Sequence, residues 1–209
     1  MWRAVTVDEF DAILADAAAT AAFRDEFPRY DFPHDRRTVD AAVHDGPLVV
    51  DGGFRAPAFY TLVIGDLRVN GLIDLRTDWE TGGLFVVLGN VRAKDFLSDY
   101  DAGVFIDGDL DLSGTLVNAY SDSAFSVIGS LTARLHIGND MTVTVGAGAI
   151  VDYAIGHRAA LEAGDHFPAK HSEAETIAAM TLPAREKGYP FDEEDVGRAV
   201  RDGKPLLKT

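Results

Sequence analysis

The sequence predicts a mainly β protein: a short single-stranded β-helix of about four to six coils, with an N-terminal helix and C-terminal helices packed on it. The main observation is a glycine, then Asp, Asn or Ser, then Leu or Val, which returns at Gly65, Gly89, Gly108 and Gly129. These glycines lie 24, 19 and 21 residues apart, and β-branched, apolar runs flank each of them. Such a period is typical of stacked coils, in which each repeat buries its apolar side against the next.

Apolar residues recur at even distances from each glycine, taken as position 0. Because side chains alternate across a strand, the even positions should face one interior and stack in columns from coil to coil. Glycine itself suits a corner where the backbone bends sharply or approaches another closely. The columns at +2 and +8 are Leu67, Val91, Leu110, Leu131 and Ile73, Leu97, Leu116, Ile137.

Some odd positions, which should face outward, are also apolar. We expect this stripe to be covered, since exposed apolar patches of this kind are normally buried against something. Either the terminal helices lie on it, or it forms the interface with a second copy or another partner. The stripe consists of Leu62, Ile64, Val86, Leu88, Phe105 and Ile128.

Other outward positions are polar. The residues at +1 tolerate turn geometry and can accept bonds from nearby backbone amides; a calcium ladder is the alternative, although the nine-residue period of such ladders is absent. Positions +3 and +5 should form a solvated surface with a local basic bias. The +1 residues are Asp66, Asn90, Asp109 and Ser130, and the others are Arg68, Asn70, Arg92, Lys94, Asp111, Ser113, Thr132 and Arg134.

The coils differ in length beyond position +9, which indicates loops at one edge of the stack. Binding residues concentrate on loops held by a rigid scaffold, and aromatic residues beside acids suit a basic partner. The alternative is that the aromatic rings pack within the loops and the acids only increase solubility. The predicted binding residues at this loop edge are Asp78, Trp79, Glu80, Asp99, Tyr100, Asp101, Tyr120 and Asp122.

The segments beside the repeat carry helix signals. Thr6 and Glu9 fit a capping box, as do Ser172 and Glu175, and Asp192 is a third N-cap. The predicted helices cover residues 7–26, 37–43, 157–163, 172–180 and 192–203, and the first β element is residues 47–53. We divide the chain into an N-terminal helical segment (1–45), the β-helix (46–155) and a C-terminal helical segment (156–209), which form one compact unit.

Composition limits the chemistry. The 209 residues include no cysteine, which excludes disulfides and thiolate sites. A net charge of −15 disfavours nucleic acid and anionic membranes and permits a basic protein partner. We expect no cofactor and no metal, since His157, His166 and His171 match no familiar zinc spacing. Without an apolar leader or a membrane-spanning run, a cytoplasmic location is the expectation.

The Gly-[Asp/Asn/Ser]-[Leu/Val] repeats of residues 59–150, with their Val-, Ile- and Leu-rich interior, resemble bactofilin-type polymer-forming β-helices. The resemblance implies a right-handed, non-enzymatic β-helix with an assembly role. The coils here are longer and unequal, and helical segments flank the repeat. Helices over the solenoid ends would block end-to-end growth.

These patterns favour a non-enzymatic scaffold or protein-binding module, such as an acidic immunity or inhibitor protein for a basic toxin. A self-assembling structural protein, including a homodimer, is the first alternative. A carbohydrate-active enzyme that uses the carboxylates of Asp99 and Asp101 is the second.

Overall fold

A computed structural model describes residues 1–27, 39–75, 82–98, 102–118, 124–138, 142–155, 158–161, 169–185 and 188–208. These residues form a parallel β-solenoid of about five turns with flanking helices, which confirms the predicted fold class. The helices are α1 (Val7–Asp16), α2 (Ala21–Glu26), α3 (Glu173–Ala179) and α4 (Glu193–Arg201).

The strands follow one another around the solenoid and are named here in chain order. They are β1 (Trp2–Val5), β2 (Ala41–Asp45), β3 (Leu48–Val50), β4 (Phe54–Arg55), β5 (Tyr60–Ile64), β6 (Leu67–Val69), β7 (Leu72–Asp74), β8 (Gly83–Val87), β9 (Val91–Ala93), β10 (Asp95–Ser98), β11 (Ala102–Ile106), β12 (Leu110–Leu112), β13 (Thr115–Asn118), β14 (Ala124–Val127), β15 (Ser130–Gly138), β16 (Thr142–Val145), β17 (Gly148–Ile155) and β18 (Arg158–Leu161).

Each turn has three sides. Side A stacks β2, β5, β8, β11, β14, β16 and β18 in parallel register. Side B stacks β3, β6, β9, β12 and the first halves of β15 and β17. Side C stacks β4, β7, β10, β13 and the second halves of β15 and β17. β1 pairs antiparallel with β2 and so occupies the first edge of side A.

The repeated glycines lie at the corner between sides A and B. A Cβ atom on Gly89 would lie 2.6 Å from the carbonyl carbon of Gly65, and one on Gly108 would lie 2.8 Å from that of Gly89. Both distances are far below an ordinary carbon–carbon contact of about 3.5–4.0 Å. Glycine is therefore required here because successive turns approach backbone to backbone.

The interior is filled by the predicted even columns, with one correction on side C. Register pairs Ile73 with Phe96, and Leu116 with His136, so the prediction that Leu97 and Ile137 face the interior is wrong. The corner between sides B and C has two residues in some turns, such as Asn70 and Gly71 after β6. It has only one, Lys94 or Arg134, in the turns of β10 and β15. A corner that is one residue shorter moves every following side chain to the other face.

Two of the predicted helices are strands. Residues 41–43, predicted helical, belong to β2, which is paired on both sides by β1 and β5. Residues 158–161, also predicted helical, form β18 beside β16. Both segments are rich in alanine, and pairing within the sheet outweighs that weak intrinsic helix preference.

The N-terminal helix is shorter than predicted. Residues 7–26 form two helices, α1 and α2, separated by an extended backbone that begins at Ala17. Thr20 caps α2, and its own N–H donates to Asp107 on side A at 2.7 Å. This attachment to the solenoid fixes the break. The capping boxes of α1 and α3 and the Asp192 cap of α4 are confirmed.

Candidate binding surface

The eight predicted loop-edge residues lie outside the described residues, so their binding role remains a prediction. The strands on either side of them are described and are paired in register with their neighbours, as in β10 with β13 and β11 with β14. The prediction concerns Asp78, Trp79, Glu80, Asp99, Tyr100, Asp101, Tyr120 and Asp122.

The apolar stripe lies on the outer surface of side A, beneath α1 and α2. Leu62, Val86 and Phe105 form one outward column, and each is at most 2% exposed. The ring of Phe105 meets Phe23 and Phe27 edge-on, at centroid distances of 6.4 Å and 5.0 Å. Leu88 is buried in the same cluster, and Ile64 and Ile128 are partly buried against it. The N-terminal helices therefore cover this stripe.

Side C has a second outward apolar column, which the sequence analysis missed. Leu97, Val117 and Ile137 are at most 1% exposed and pack in one cluster with α4 residues and the tail that follows α4. Arg201 of α4 also forms an ion pair with Asp74 of β7 at 3.1 Å. The available signal was the pairing of adjacent apolar residues, as in Phe96–Leu97, which indicates a strand buried on both faces.

Tyr189 ties the C-terminal segment to the end of side C. Its hydroxyl donates to the carbonyl oxygen of Gly138 at 2.5 Å, and burial of the ring raises the pKa of the phenol above its ordinary value. The phenol therefore stays protonated and keeps donating across the physiological pH range.

Side B carries an exposed polar column with an apolar residue at each end. Strand register places one outward side chain from each strand of side B above the next, from β3 to β17, and we call this set the side B column. Val49 and Ile150 at its two ends are 67% and 59% exposed. The column consists of Val49, Arg68, Arg92, Asp111, Thr132 and Ile150.

The side B column borders a shallow depression of about 540 Å³ that runs along the corner with side A. Arg92 Nε donates to Asp111 Oδ2 at 2.9 Å, and the two side chains are 66% and 46% exposed. Within the described part of the chain, Arg68 and Arg134 have no ion-pair partner. The predicted solvated surface is confirmed for these basic residues: Arg68 and Arg92 are exposed on side B, and Arg134 is exposed at its corner with side C.

A ladder of hydrogen bonds between turns lines the same depression. Asp66 Oδ1 accepts from Asn90 N at 2.8 Å, Asn90 Oδ1 accepts from Asp109 N at 3.0 Å, and Asp109 Oδ1 accepts from Ser130 N at 2.7 Å. Three of the four +1 side chains thus accept a hydrogen bond from the backbone of the following turn. These oxygens serve as acceptors for N–H groups, as expected for turn residues.

The hydrogen bonds from the Ser130 backbone and hydroxyl lower the pKa of Asp109 below its ordinary value of 3.8. A lowered carboxyl pKa contributes stability above the unfolded pKa and loses it as the pH falls through the folded pKa. We therefore expect Asp109→Asn, which cannot titrate, to lose less unfolding free energy than the wild type between about pH 5.5 and about pH 3. Urea unfolding of both proteins at the two pH values measures this; equal losses would contradict it.

The helices that cover side A present carboxylates to solvent. Residues 7–27 contain six acidic residues and one basic residue, Arg24. Asp8, Asp16 and Asp25 are exposed, whereas Arg24 donates to backbone carbonyl oxygens of residues 15 and 17. The outer surface of α1 and α2 is thus acidic, whereas the outer column of side B carries two arginines and one aspartate.

In the described ranges, no group of three or more His, Asp or Glu side chains is placed to hold a metal ion. His171 stacks on Tyr153 at a centroid distance of 4.2 Å, while His157 and His166 lie outside the described residues.

Among the described helices, none combines the length and the apolar character needed to cross a membrane. Comparison with protein-family models, with curated proteins and with solved structures gives no match for this chain.

Proposed function

We propose that the protein is a non-enzymatic β-helix module that binds a basic protein, in the manner of an acidic immunity or inhibitor protein. The observation that carries the proposal is the separation of charge on a rigid scaffold. The α1–α2 layer exposes Asp8, Asp16 and Asp25, and the chain as a whole has a charge of −15. Such a field steers a basic partner toward the acidic layer and speeds association.

The scaffold supports this role because it fixes the acidic layer in place. The layer is attached through buried contacts of Phe23 with Phe105, and through the bond from Thr20 to Asp107. A binding surface held this way loses little conformational entropy when a partner binds. The loop-edge acids and aromatics lie outside the described residues, and their role in binding a basic partner stays a separate prediction.

The bactofilin resemblance supports a different role, filament formation through the solenoid ends. β1 runs antiparallel to β2 at the first end, where a continuing solenoid would add a parallel strand. We therefore keep the β-helix scaffold from the resemblance and do not propose a filament.

Partner capture tests the proposal. The immobilised chain is exposed to proteins of the source organism at low salt, bound proteins are released with rising NaCl, and a retained partner is purified for titration. We expect a basic partner whose affinity falls as salt rises. Retention of no basic protein at any salt concentration would overturn the proposal.

A matched pair of variants locates the contact. Replacing Asp8, Asp16 and Asp25 by asparagine changes the net charge from −15 to −12 and should weaken binding about tenfold. The control makes the same change in charge on the C-terminal segment, through Glu173→Gln, Glu194→Gln and Asp202→Asn. Equal weakening by both triple variants would show nonspecific charge attraction rather than a contact with the α1–α2 layer.

A further inference from the structure

Side B remains the open side of the solenoid in the described structure. α1 and α2 cover side A from β2 to β14, and α3, α4 and the tail that follows α4 cover side C. On side B the inward residues, such as Leu67 and Leu110, are buried, while the outward ones, such as Arg68 and Thr132, are exposed. In the described structure the exposed large apolar side chains are those of Met1, Val49 and Ile150, and of these Val49 and Ile150 lie in strands.

The order of residues in the side B column is self-complementary. Read from β3 to β17, it is apolar, positive, positive, negative, polar and apolar. Inverting the column about its midpoint, between Arg92 and Asp111, places Val49 against Ile150 and Arg68 against Thr132. It also places Arg92 against Asp111, so opposite charges meet at the centre and apolar residues meet at both ends.

We propose that side B is the contact between two copies of this chain, related by a two-fold axis that lies in the interface along the strand direction. Such an axis reverses the solenoid direction and keeps each column opposite itself in the second copy. A two-fold interface requires a self-complementary surface of this kind. The acidic layers on side A then point away from the contact, so the dimer is independent of the proposed partner binding.

Of the two neighbouring columns, the +1 column fits the same arrangement and the +5 column fits it except at its ends. The +1 column, whose side chains form the hydrogen-bond ladder, places Asn90 opposite Asp109 and Asp66 opposite Ser130. Each of these pairs joins a hydrogen-bond donor to an acceptor. The +5 column places Lys94 opposite Ser113. Register adds Asp51 and Asp152 at the ends of this column, so one pair of carboxylates is opposed at each end. The ion pair of Asp152 with Lys170, at 2.5 Å, offsets one of these two charges, and Asp51 accepts a hydrogen bond from Asn70 at 2.9 Å.

The position of the axis is fixed by charge. Moving it half a strand spacing in one direction would place Arg92 against its own copy, and moving it the other way would do the same to Asp111. Both shifts also separate Val49 from Ile150. Like charges opposed in an interface disfavour it, so the column specifies a single register.

The size of side B sets the expected affinity. Six strands spaced by about 4.8 Å span roughly 24 Å, and each contributes only about three residues to the surface. The contact therefore buries less than the roughly 1,200 Å² that marks standard interfaces, and the dimer should be weak. We expect a shift from 22.5 kDa toward twice that mass as the concentration rises from about 10 μM to about 1 mM.

Charge reversal tests the contact in trans. In a homodimer of Arg92→Asp both central contacts would join two carboxylates, and in a homodimer of Asp111→Arg both would join two guanidinium groups. Each variant alone should therefore remain a monomer. Mixing the two should restore the dimer, because both central contacts then join opposite charges. Loss of the exposed Arg92–Asp111 pair within each chain cannot produce this result, since mixing does not restore it.

Sedimentation velocity of the wild type, each variant and the equimolar mixture gives the readout. Ala12→Asp, on the exposed surface of α1, is the control and should dimerise like the wild type. Should a reversal variant fail to fold, the exposed ends provide a second pair, Val49→Lys and Ile150→Glu, with the same expected recovery on mixing.

A wild type that stays monomeric at about 1 mM overturns the proposal. So does a mixture that stays monomeric, or an Arg92→Asp variant that still dimerises. A monomer that nevertheless binds a basic protein through α1 and α2 would leave the proposed function intact, so the two failures are distinguishable.

Discussion

Phe96→Ala should lower the free energy of unfolding by about 3–5 kcal/mol. Phe96 is fully buried inside the solenoid. The centroid of its ring lies 5.9 Å from that of Phe85 and 5.4 Å from that of Phe125. Removing it leaves a cavity between two turns, and the hydrogen-bonded strands around it cannot collapse to fill it. Chemical unfolding followed by circular dichroism measures the loss.

The neighbouring Leu97 provides the matched control. It is equally buried, but it lies in the cluster formed by the outer surface of side C and the C-terminal segment. Leu97→Ala should therefore increase hydrogen exchange mainly in α4, whereas Phe96→Ala should increase it in β8 and β14. Faster exchange confined to α4 in Phe96→Ala would show that the side C register is wrong.

This pair of residues also shows how far the sequence pattern reaches. The corner between sides A and B could be predicted because Gly65, Gly89, Gly108 and Gly129 mark it in every copy, and the columns counted from it were right for sides A and B. The columns failed after the next corner, since its length changes by one residue without any marker in the sequence. Lys94 alone forms this corner, where other turns have two residues. Phe96 therefore faces the interior and Leu97 faces outward, the reverse of the prediction.

The coverage of the solenoid could be predicted only in part. An apolar stripe at Leu62, Val86 and Phe105 required a cover, and the capping box at Thr6 and Glu9 supplied a helix for it. That the described helices leave side B open depends on where each of them packs, which no local pattern gives. The arginines at positions 68 and 92 could therefore be identified from the sequence, but their place on the side that the described helices leave open could not.

Gly108→Ala is the second substitution with a large expected effect, a loss of about 2–4 kcal/mol in unfolding free energy. The added Cβ would lie 2.8 Å from the carbonyl carbon of Gly89, which is backbone held by the sheets on both sides, and 2.7 Å from Asn90 Oδ1. Relief requires the two turns to separate. Separation would also weaken the ladder bond from Asp109 N to Asn90 Oδ1, which is 3.0 Å long.

Gly53→Ala separates this effect from the ordinary consequence of replacing glycine. Its Cβ would meet the carbonyl oxygen of Leu72 at 3.5 Å, a normal contact, so the variant should match the wild type or gain up to about 1 kcal/mol from reduced unfolded-state entropy. Thermal and urea unfolding of both variants give the comparison. A Gly108→Ala protein as stable as Gly53→Ala would mean that the turns are not in backbone contact at this corner. The ladder and the spacing of the side B column would then need a different register, because both depend on that contact.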